Sequence, residues 1–367
     1  MSEPAVKVEG LSLRLGAFAL RDLGITLATG EVLVLLGPNG AGKSVTLETI
    51  AGFHHPSAGR IVIGGRDVTN LPPERRRVGL VFQNFSLFPH LTVRENVAIG
   101  LRRRPEPLRA PARVPLGDVP ALLSYFAILP LAERKPGDLS AGEQQRVSLA
   151  RAFATCPDLL LFDEPFSALD ARTRDQLRED LAYFMRNAGM PAIFVTHDHT
   201  DALALADKIA VINEGRVIQE GRAADVYERP GNAFVARFLG VENVLSGRIE
   251  GRTGNRVRIA IADRIIYARS AAEDLNGGPV VACIRGENVM LRLGGGQPMD
   301  AAAGLNRLPG RIVAITNLGP LTRVSLDCGF ELAAYVMSRE IRDSGFVPGA
   351  AAQAEFDAAS VHVAREA

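Results

Sequence analysis

The 367 residues carry 42 Lys plus Arg against 41 Asp plus Glu, a formal net charge of +1, which excludes a nonspecific nucleic-acid binder held by phosphate neutralisation. At about 150 residues per domain the length predicts two domains, and no run approaches the roughly 18 uninterrupted apolar residues that a membrane-crossing helix needs. Three widely spaced cysteines, Cys156, Cys283 and Cys328, and an N-terminus with neither basic flank nor apolar core predict reduced thiols in a cytosol and no secretory signal.

Short apolar runs predict strands at Val6–Val8 and Leu11–Leu15 and, more strongly, at Glu31–Leu36, which ends at Gly37-Pro38-Asn39-Gly40. Helical composition follows over Gly42–Ala51. Pro105, Pro107, Pro111, Pro115 and Pro120 interrupt residues 102–120, a predicted surface linker into a helical stretch over 120–135. Helical patterns also fit 143–155, 172–188 and 200–206. Two more buried strands are expected, Asp158–Phe162 ending in Asp163-Glu164-Pro165 and Ala192–Thr196 ending at His197-Asp198. Buried strands separated by helices predict a parallel sheet with crossover helices.

From about Leu239 helical patterns fade and β-branched residues alternate with Arg and Gly. Asn243-Val244-Leu245-Ser246-Gly247-Arg248-Ile249 and Asn306-Arg307-Leu308-Pro309-Gly310-Arg311-Ile312 agree at five of seven positions, which suggests two related β units. A linker between them is expected over Leu293–Gly304, with its Gly and Ala runs. Over 241–367, 14 basic and 14 acidic residues give no net field. Arg75-Arg76-Arg77 and Arg102-Arg103-Arg104 are expected to be solvated faces. His54-His55 and His197-Asp198-His199 lack the remaining ligands of a closed zinc site.

Gly37-Pro38-Asn39-Gly40-Ala41-Gly42-Lys43-Ser44 fits G-x-x-x-x-G-K-[ST] between a buried strand and a helix. In such a loop backbone N–H groups cradle phosphates, the lysine reaches the β and γ oxygens, and the hydroxyl holds Mg²⁺. Only four of the 42 basic residues are lysines, and one of them stands here. A compact ammonium fits among phosphate oxygens where a planar guanidinium does not. Asp163, at the end of an apolar strand, is then a candidate for holding Mg²⁺ through water, and Glu164 for polarising the attacking water. No Asn-Lys-x-Asp stretch of a guanine-selective site is present, so the nucleotide expected is ATP.

These residues resemble the nucleotide-binding subunits of ABC transporters over 1 to about 240. Leu139-Ser140-Ala141-Gly142-Glu143-Gln144-Gln145-Arg146 is similar to the family signature, Gln83 in Val81-Phe82-Gln83-Asn84 to the Q-loop glutamine, Ser167-Ala168-Leu169-Asp170 to the D-loop, and His197 to the switch histidine. Ala141 and Glu143 stand where the family commonly has glycine and glutamine. Phe18 is the candidate for stacking on adenine, since Leu15 occupies the usual aromatic position.

The resemblance implies an α/β P-loop nucleotide-binding domain over 1–240, with a helical subdomain over about 88–155, followed by a smaller β-rich, OB/TOBE-like domain over 241–367. It also implies a head-to-tail homodimer in which Ser140, Ala141, Gly142 and Glu143 of one copy face the ATP held by Gly37–Ser44 of the other. Gln83, Ser44 and Asp163 would hold Mg²⁺, Glu164 and His197 would act on the γ-phosphate and water, and Asp170 would lie at the dimer seam. Partners would be transmembrane permease subunits and, through them, an extracytoplasmic solute-binding protein. The chain would sit peripherally on the cytoplasmic face of the inner membrane.

Phe88-Pro89-His90-Leu91-Thr92-Val93-Arg94-Glu95-Asn96-Val97 resembles binding-protein-dependent importers. Gly310-Arg311-Ile312 and Thr316–Val324 are similar to an appended TOBE or Mop-like regulatory domain. Gly42–Glu48 and Leu71–Gly79 look more like molybdate and tungstate importers than sugar importers. Ferric iron, polyamine and sugar import stay open. A soluble ABC ATPase without a permease, and a regulator that no longer hydrolyses ATP, are the competing classes.

Overall fold

The computed structural model describes residues 4–102, 118–167, 169–269, 278–294 and 304–366. It divides into two compact units, Met1–Ala224 and Asp225–Ala367. Most of the linkers expected over 102–120 and 293–304, together with Arg103, Arg104 and Ala168, lies outside the described residues.

In the first unit β1 (Val6–Leu15) pairs antiparallel with β2 (Phe18–Leu27) and β4 (Ala58–Ile63), and β5 (Arg66–Asp67) extends that sheet. The two strands expected at Val6–Val8 and Leu11–Leu15 are one, because Gly10 at φ +61° absorbs a bulge while the pairing continues beyond it. A second sheet runs in the order β10 (Arg216–Arg222), β9 (Lys208–Asn213), β3 (Val32–Leu36), β8 (Ala192–Thr196), β7 (Leu159–Asp163), β6 (Val78–Val81). From β9 to β6 neighbouring strands are parallel. β3 and β8 are buried at every residue, which is why they read as unbroken apolar runs.

α5 (Ala171–Ala188) connects β7 to β8 and α6 (His199–Leu205) connects β8 to β9, while α1 (Lys43–Ala51) leads from β3 to β4 of the first sheet. α2 (Val93–Arg102), α3 (Val119–Tyr125) and α4 (Ala141–Ala154) pack on one another. The rings of Phe126, Phe153 and Phe184 join α3, α4 and α5, with centroids 5.3 and 4.7 Å from Phe126. α3 is shorter than the helix expected over 120–135. Ala127 takes φ +56°, Pro130 lacks a helical N–H, and the chain continues in 3₁₀ turns at Leu129–Leu131 and Pro136–Asp138.

The second unit begins with most of α7 (Ala223–Glu228) and with α8 (Ala233–Phe238). The domain boundary expected near 240 and the division after 224 differ by the segment 225–240. The apolar face of α8, Ala233 and Ala236, packs with Val281, Cys283 and Ala364 of the second unit. Two five-stranded antiparallel sheets follow. One has the order β13 (Arg264–Arg269), β12 (Arg256–Ile261), β11 (Asn243–Thr253), β14 (Pro279–Ile284), β20 (His362–Arg365). The other has β15 (Met290–Leu293), β19 (Ala351–Asp357), β16 (Leu305–Asn317), β17 (Leu321–Asp327), β18 (Glu331–Met337), with α9 (Ser338–Ser344) after β18.

The sheets are two copies of one plan with their last strands exchanged. β15 leaves β14 to pair with β19, and β20 leaves β19 to pair with β14. The sequence echo opens β11 and β16, the middle strand of each sheet. Its buried asparagines stitch the sheets together. Asn243 donates to Ala333 O at 2.9 Å and accepts from Ala333 N at 2.6 Å, and Asn306 does the same for Tyr267 at 2.8 and 2.7 Å.

The arginine run at 75–77 corrects the expectation of a solvated face. Arg75 is exposed and Arg77 pairs with Asp158, but Arg76 is 1% exposed. Its guanidinium donates to Thr49 O at 2.8 Å and Ile50 O at 3.0 Å in the last turn of α1, and to Leu71 O and Thr69 O at 2.7 and 2.9 Å. The final carbonyls of a helix lack intrahelical donors and carry the negative end of its dipole, so a buried cation is stabilised there without a carboxylate. Arg76→Met strands these carbonyls and is expected to cost about 3 kcal/mol or more. Calorimetry should record a fall of roughly 6–12 °C in the first unit's unfolding midpoint, and a change under about 2 °C would exclude the cap.

Candidate functional site

Parallel register places four strand ends side by side. Leu36 of β3 is level with Thr196 of β8, Val195 with Asp163 of β7, and Phe162 with Val81 of β6. The residues that follow, Gly37, His197, Glu164 and, two positions on, Gln83, therefore leave the sheet at the same carboxyl edge, where open α/β sheets bind ligands.

The glycine loop turns from β3 into α1. Gly42 has φ +106°, and a Cβ there would meet the Phe18 ring at 2.4 Å, so only glycine fits. Phe18 is thus packed against the end of the loop, beside the first turn of α1. No side chain caps α1. Its leading N–H groups and positive dipole end remain directed at whatever occupies the loop, an arrangement suited to an anion. Lys43 is 6% exposed and donates to Gly37 O at 2.8 Å and Pro38 O at 3.0 Å. Burial pulls its pKa down against the opposing effect of Glu164 and Asp163.

Ser44 Oγ donates to Asp163 Oδ1 at 3.0 Å. Burial, reinforced by Glu164 and Glu48, pushes the Asp163 pKa up against the Ser44 hydrogen bond and Lys43. Two hard oxygen donors in contact beside a phosphate-type loop fit Mg²⁺, which commonly takes one or two protein oxygens and completes its shell with phosphate and water. Among the described residues no cluster of three His, Cys, Asp or Glu forms an all-protein metal cage. Glu164 sits at φ +44°, uncommon outside glycine, with its N–H bonded to Val195 O. Its Oε1 lies 3.2 Å from His197 Nδ1.

The signature candidates lie elsewhere. Ser140 caps α4 in a reciprocal box with Glu143: the Glu143 carboxylate accepts from Ser140 N at 2.8 Å and Ser140 Oγ at 2.9 Å, while Ser140 Oγ accepts from Glu143 N at 3.3 Å. Those bonds hold the Glu143 pKa below the usual carboxylate range. Ala141 and Gly142 form the first turn of α4, and Gly142 faces Thr173 of α5, whose N-cap is Asp170. A recess of about 810 Å³ opens among Ser140, Glu143, Arg172 and Gln176. Among the described residues no hydrogen bond of Ser140 or Glu143 reaches the glycine loop of the same chain. Gly37, Pro38, Asn39, Gly40, Ala41, Lys43, Ser44, Asp163, Glu164 and His197 are gathered at one edge; the described hydrogen bonds of Ser140, Glu143 and Asp170 close instead within the first turns of α4 and α5.

Two arginines had no assigned role in the sequence pattern. Arg76 anchors the far end of α1, and Arg151 holds the loop after Gln83. What distinguishes them is that their partners are backbone carbonyls, buried for Arg76 and partly exposed for Arg151, and no spacing in the sequence signals that. In the second unit a cavity of about 680 Å³ is lined by Cys283, Arg285 and His362, among others, and includes none of the candidates. No disulfide is formed among the described residues, and the three cysteines are buried.

Residues 20–167 match the ABC transporter family and residues 282–363 the TOBE domain. A molybdate/tungstate import ATP-binding protein of Pyrococcus horikoshii is 37% identical over 98% of this chain and 99% of its own length. A spermidine/putrescine import ATP-binding protein of Rubrobacter xylanophilus is 41% identical over 88% of this chain and 83% of its own. A dimeric ATP-binding cassette in a post-hydrolysis state, bound to ADP and Pi, superposes with a TM-score of 0.50 at 29% identity, covering 59% of this chain and 98% of that one.

The raised pKa of Asp163 means that its ionised form opposes folding once the pH exceeds the ordinary carboxylate pKa of about 3.9. Asp163→Asn is therefore expected to raise the unfolding midpoint of the nucleotide-free chain at pH 7. The gain should vanish as the pH falls below that range, where the carboxyl is protonated folded or unfolded. A lower midpoint at pH 7 would contradict the assignment.

Proposed function

The chain belongs to the ATP-binding proteins of ABC transporters, enzymes that hydrolyse ATP to drive transport, and from that premise we propose that it powers an importer for molybdate or tungstate through separate permease subunits. The contact of Ser44 with Asp163, beside Glu164 and His197 at a single sheet edge, is the observation that carries the hydrolytic part. For the cargo, support comes from the molybdate/tungstate relative, which aligns through both units with almost no residue to spare on either chain. The polyamine relative keeps the second reading open, and ferric iron and sugar remain alternatives within the same class.

Lys43 and the N–H groups of Gly40, Ala41 and Gly42 bind the β- and γ-phosphates. Ser44, Asp163 and Gln83 would hold Mg²⁺, which when bound would neutralise phosphate charge. Glu164 takes the proton of the attacking water. His197 steadies the Glu164 carboxyl through Nδ1 and leaves its other nitrogen to the γ-phosphate. Phe18, against Gly42, offers the base an apolar face.

The separation of Ser140–Glu143 from the loop in one chain favours a homodimer, in which the signature of a second copy closes the site and Asp170 lies at the seam. The N-terminus of α4 then meets the γ-phosphate with its helix dipole. Loss of that phosphate removes the shared contacts and opens the pair. The dimer would dock on the inner membrane from the cytoplasmic side and receive solute from an extracytoplasmic binding protein by way of the permease. Among the described residues no helix is long and apolar enough to cross a membrane. The second unit, TOBE-like from about residue 241, would be regulatory.

Glu164→Gln is expected to trap an ATP-bound dimer, visible by light scattering, with hydrolysis reduced by about a hundredfold or more. Hydrolysis at the parent rate would remove Glu164 as the base. Lys43→Ala should weaken nucleotide binding or turnover severely, and unaffected turnover would refute the role of the loop. Cells lacking the gene should lose molybdate uptake. Unchanged cellular molybdenum under limitation would overturn the cargo and leave the ATPase intact.

A further inference from the structure

The loop after Gln83 adopts a backbone that its residues disfavour. Phe85 and Ser86 take φ +59° and +47° in succession. Non-glycine residues visit this region singly and at a cost, because Cβ crowds the following carbonyl. Two in a row persist only where the surroundings impose them.

The restraint comes from α4. Arg151 donates through Nη1 to Ser86 O at 2.7 Å and through Nη2 to Phe85 O at 2.9 Å. Ser148, one turn earlier on the same helix, donates Oγ to Phe85 O at 3.1 Å. The Arg151 guanidinium also lies over the Phe88 ring, 5.5 Å from its centroid. One planar fork therefore fixes the carbonyls of both left-handed residues and the aromatic ring that follows, a task suited to guanidinium and poorly matched by an ammonium. Both Nη atoms of Arg151 are thus engaged with backbone carbonyls of the loop. Arg151 lies eleven residues beyond Ser140, about 16 Å along the helix that Ser140 caps.

We propose that Arg151 is a positioning residue for ATP hydrolysis. By clamping Phe85 and Ser86 it sets the path of the loop so that Gln83 is aligned with the edge where Ser44 meets Asp163, and it ties that alignment to the helix whose first turn is the signature. The clamp rests on the role proposed above for Gln83. It makes Gln83 and Ser140 move with one rigid element, so that displacement of the signature helix displaces the glutamine with it.

The test compares Arg151→Ala, Arg151→Lys, Ser148→Ala and Gln83→Ala in the full-length chain, by steady-state hydrolysis of MgATP and by amide hydrogen exchange. Arg151→Ala is expected to lower kcat about tenfold with KM for ATP within about twofold, because the glycine loop still binds the nucleotide while the glutamine is misplaced. Exchange should rise over residues 85–88 and stay at the parent level over 36–46. Arg151→Lys should recover part of kcat, and Ser148→Ala, which removes one of the three donors, should lower it by about two- to threefold. The clamp is overturned if Arg151→Ala leaves kcat within about twofold of the parent, or if exchange over 85–88 does not change. It is overturned equally if kcat and KM worsen together with exchange throughout the first unit, without recovery by lysine or effect of Ser148→Ala. Gln83→Ala separates the two layers: parent-like turnover in that variant removes the role of Gln83 and the clamp with it, whereas reduced turnover there with normal turnover in Arg151→Ala removes the clamp alone.

Discussion

The pairing of Asp163 with Val195 in the ladder between β7 and β8 decides where the chemistry falls. In parallel strands buried on both faces the register is held by close packing, since a shift of one residue would set every side chain against differently shaped neighbours on the opposite face. With that register fixed, Glu164 and His197 follow from adjacent strand ends and meet at 3.2 Å, and the next strand delivers the glycine loop to Asp163 through Ser44. None of these contacts is made by neighbours in sequence. Ser44 and Asp163 are 119 residues apart.

Charge is arranged around α1 so that its two ends behave differently. At the C-terminal end Arg76 satisfies the final carbonyls and is shielded from water. At the N-terminal end the helix has no side-chain cap and carries a buried lysine, so positive potential accumulates there from the dipole and the ammonium together. Burial lowers the pKa of Lys43 and raises that of Asp163. Both shifts record the cost of holding charge away from water, a cost that a phosphate with its cation would offset. The helix is thus complementary to a polyanion at one end and electrostatically closed at the other.

The second unit solves a different problem. Each half of its β structure contributes the strand that completes the other half's sheet, and each buried asparagine pairs with backbone across the two. Neither half therefore holds a full complement of backbone hydrogen bonds by itself, and the unit must fold as one. The near-neutral charge of 241–367 agrees with a unit whose organisation rests on backbone pairing.

The glycine loop, the acidic strand end, the signature and their order were legible in the sequence because each depends on residue types at fixed local spacing. So were β3, β7 and β8, whose burial on both faces leaves continuous apolar runs, and the duplication around Asn243 and Asn306. β1 reads as two strands in the sequence because a bulge at Gly10 interrupts alternation without ending the pairing, and the helix within 120–135 is shorter than its composition predicts because Ala127 turns left-handed and Pro130 cannot continue it. Tertiary structure alone decided that Arg76 is buried while Arg75 is not, that Arg151 holds a strained loop, that Phe18 rests against Gly42, and that α5, not the glycine loop of the same chain, faces Gly142 of the signature. The physical reason is common to all four. They depend on which backbone carbonyls, rings and helix ends meet across long separations, and no local pattern of residue types encodes those meetings.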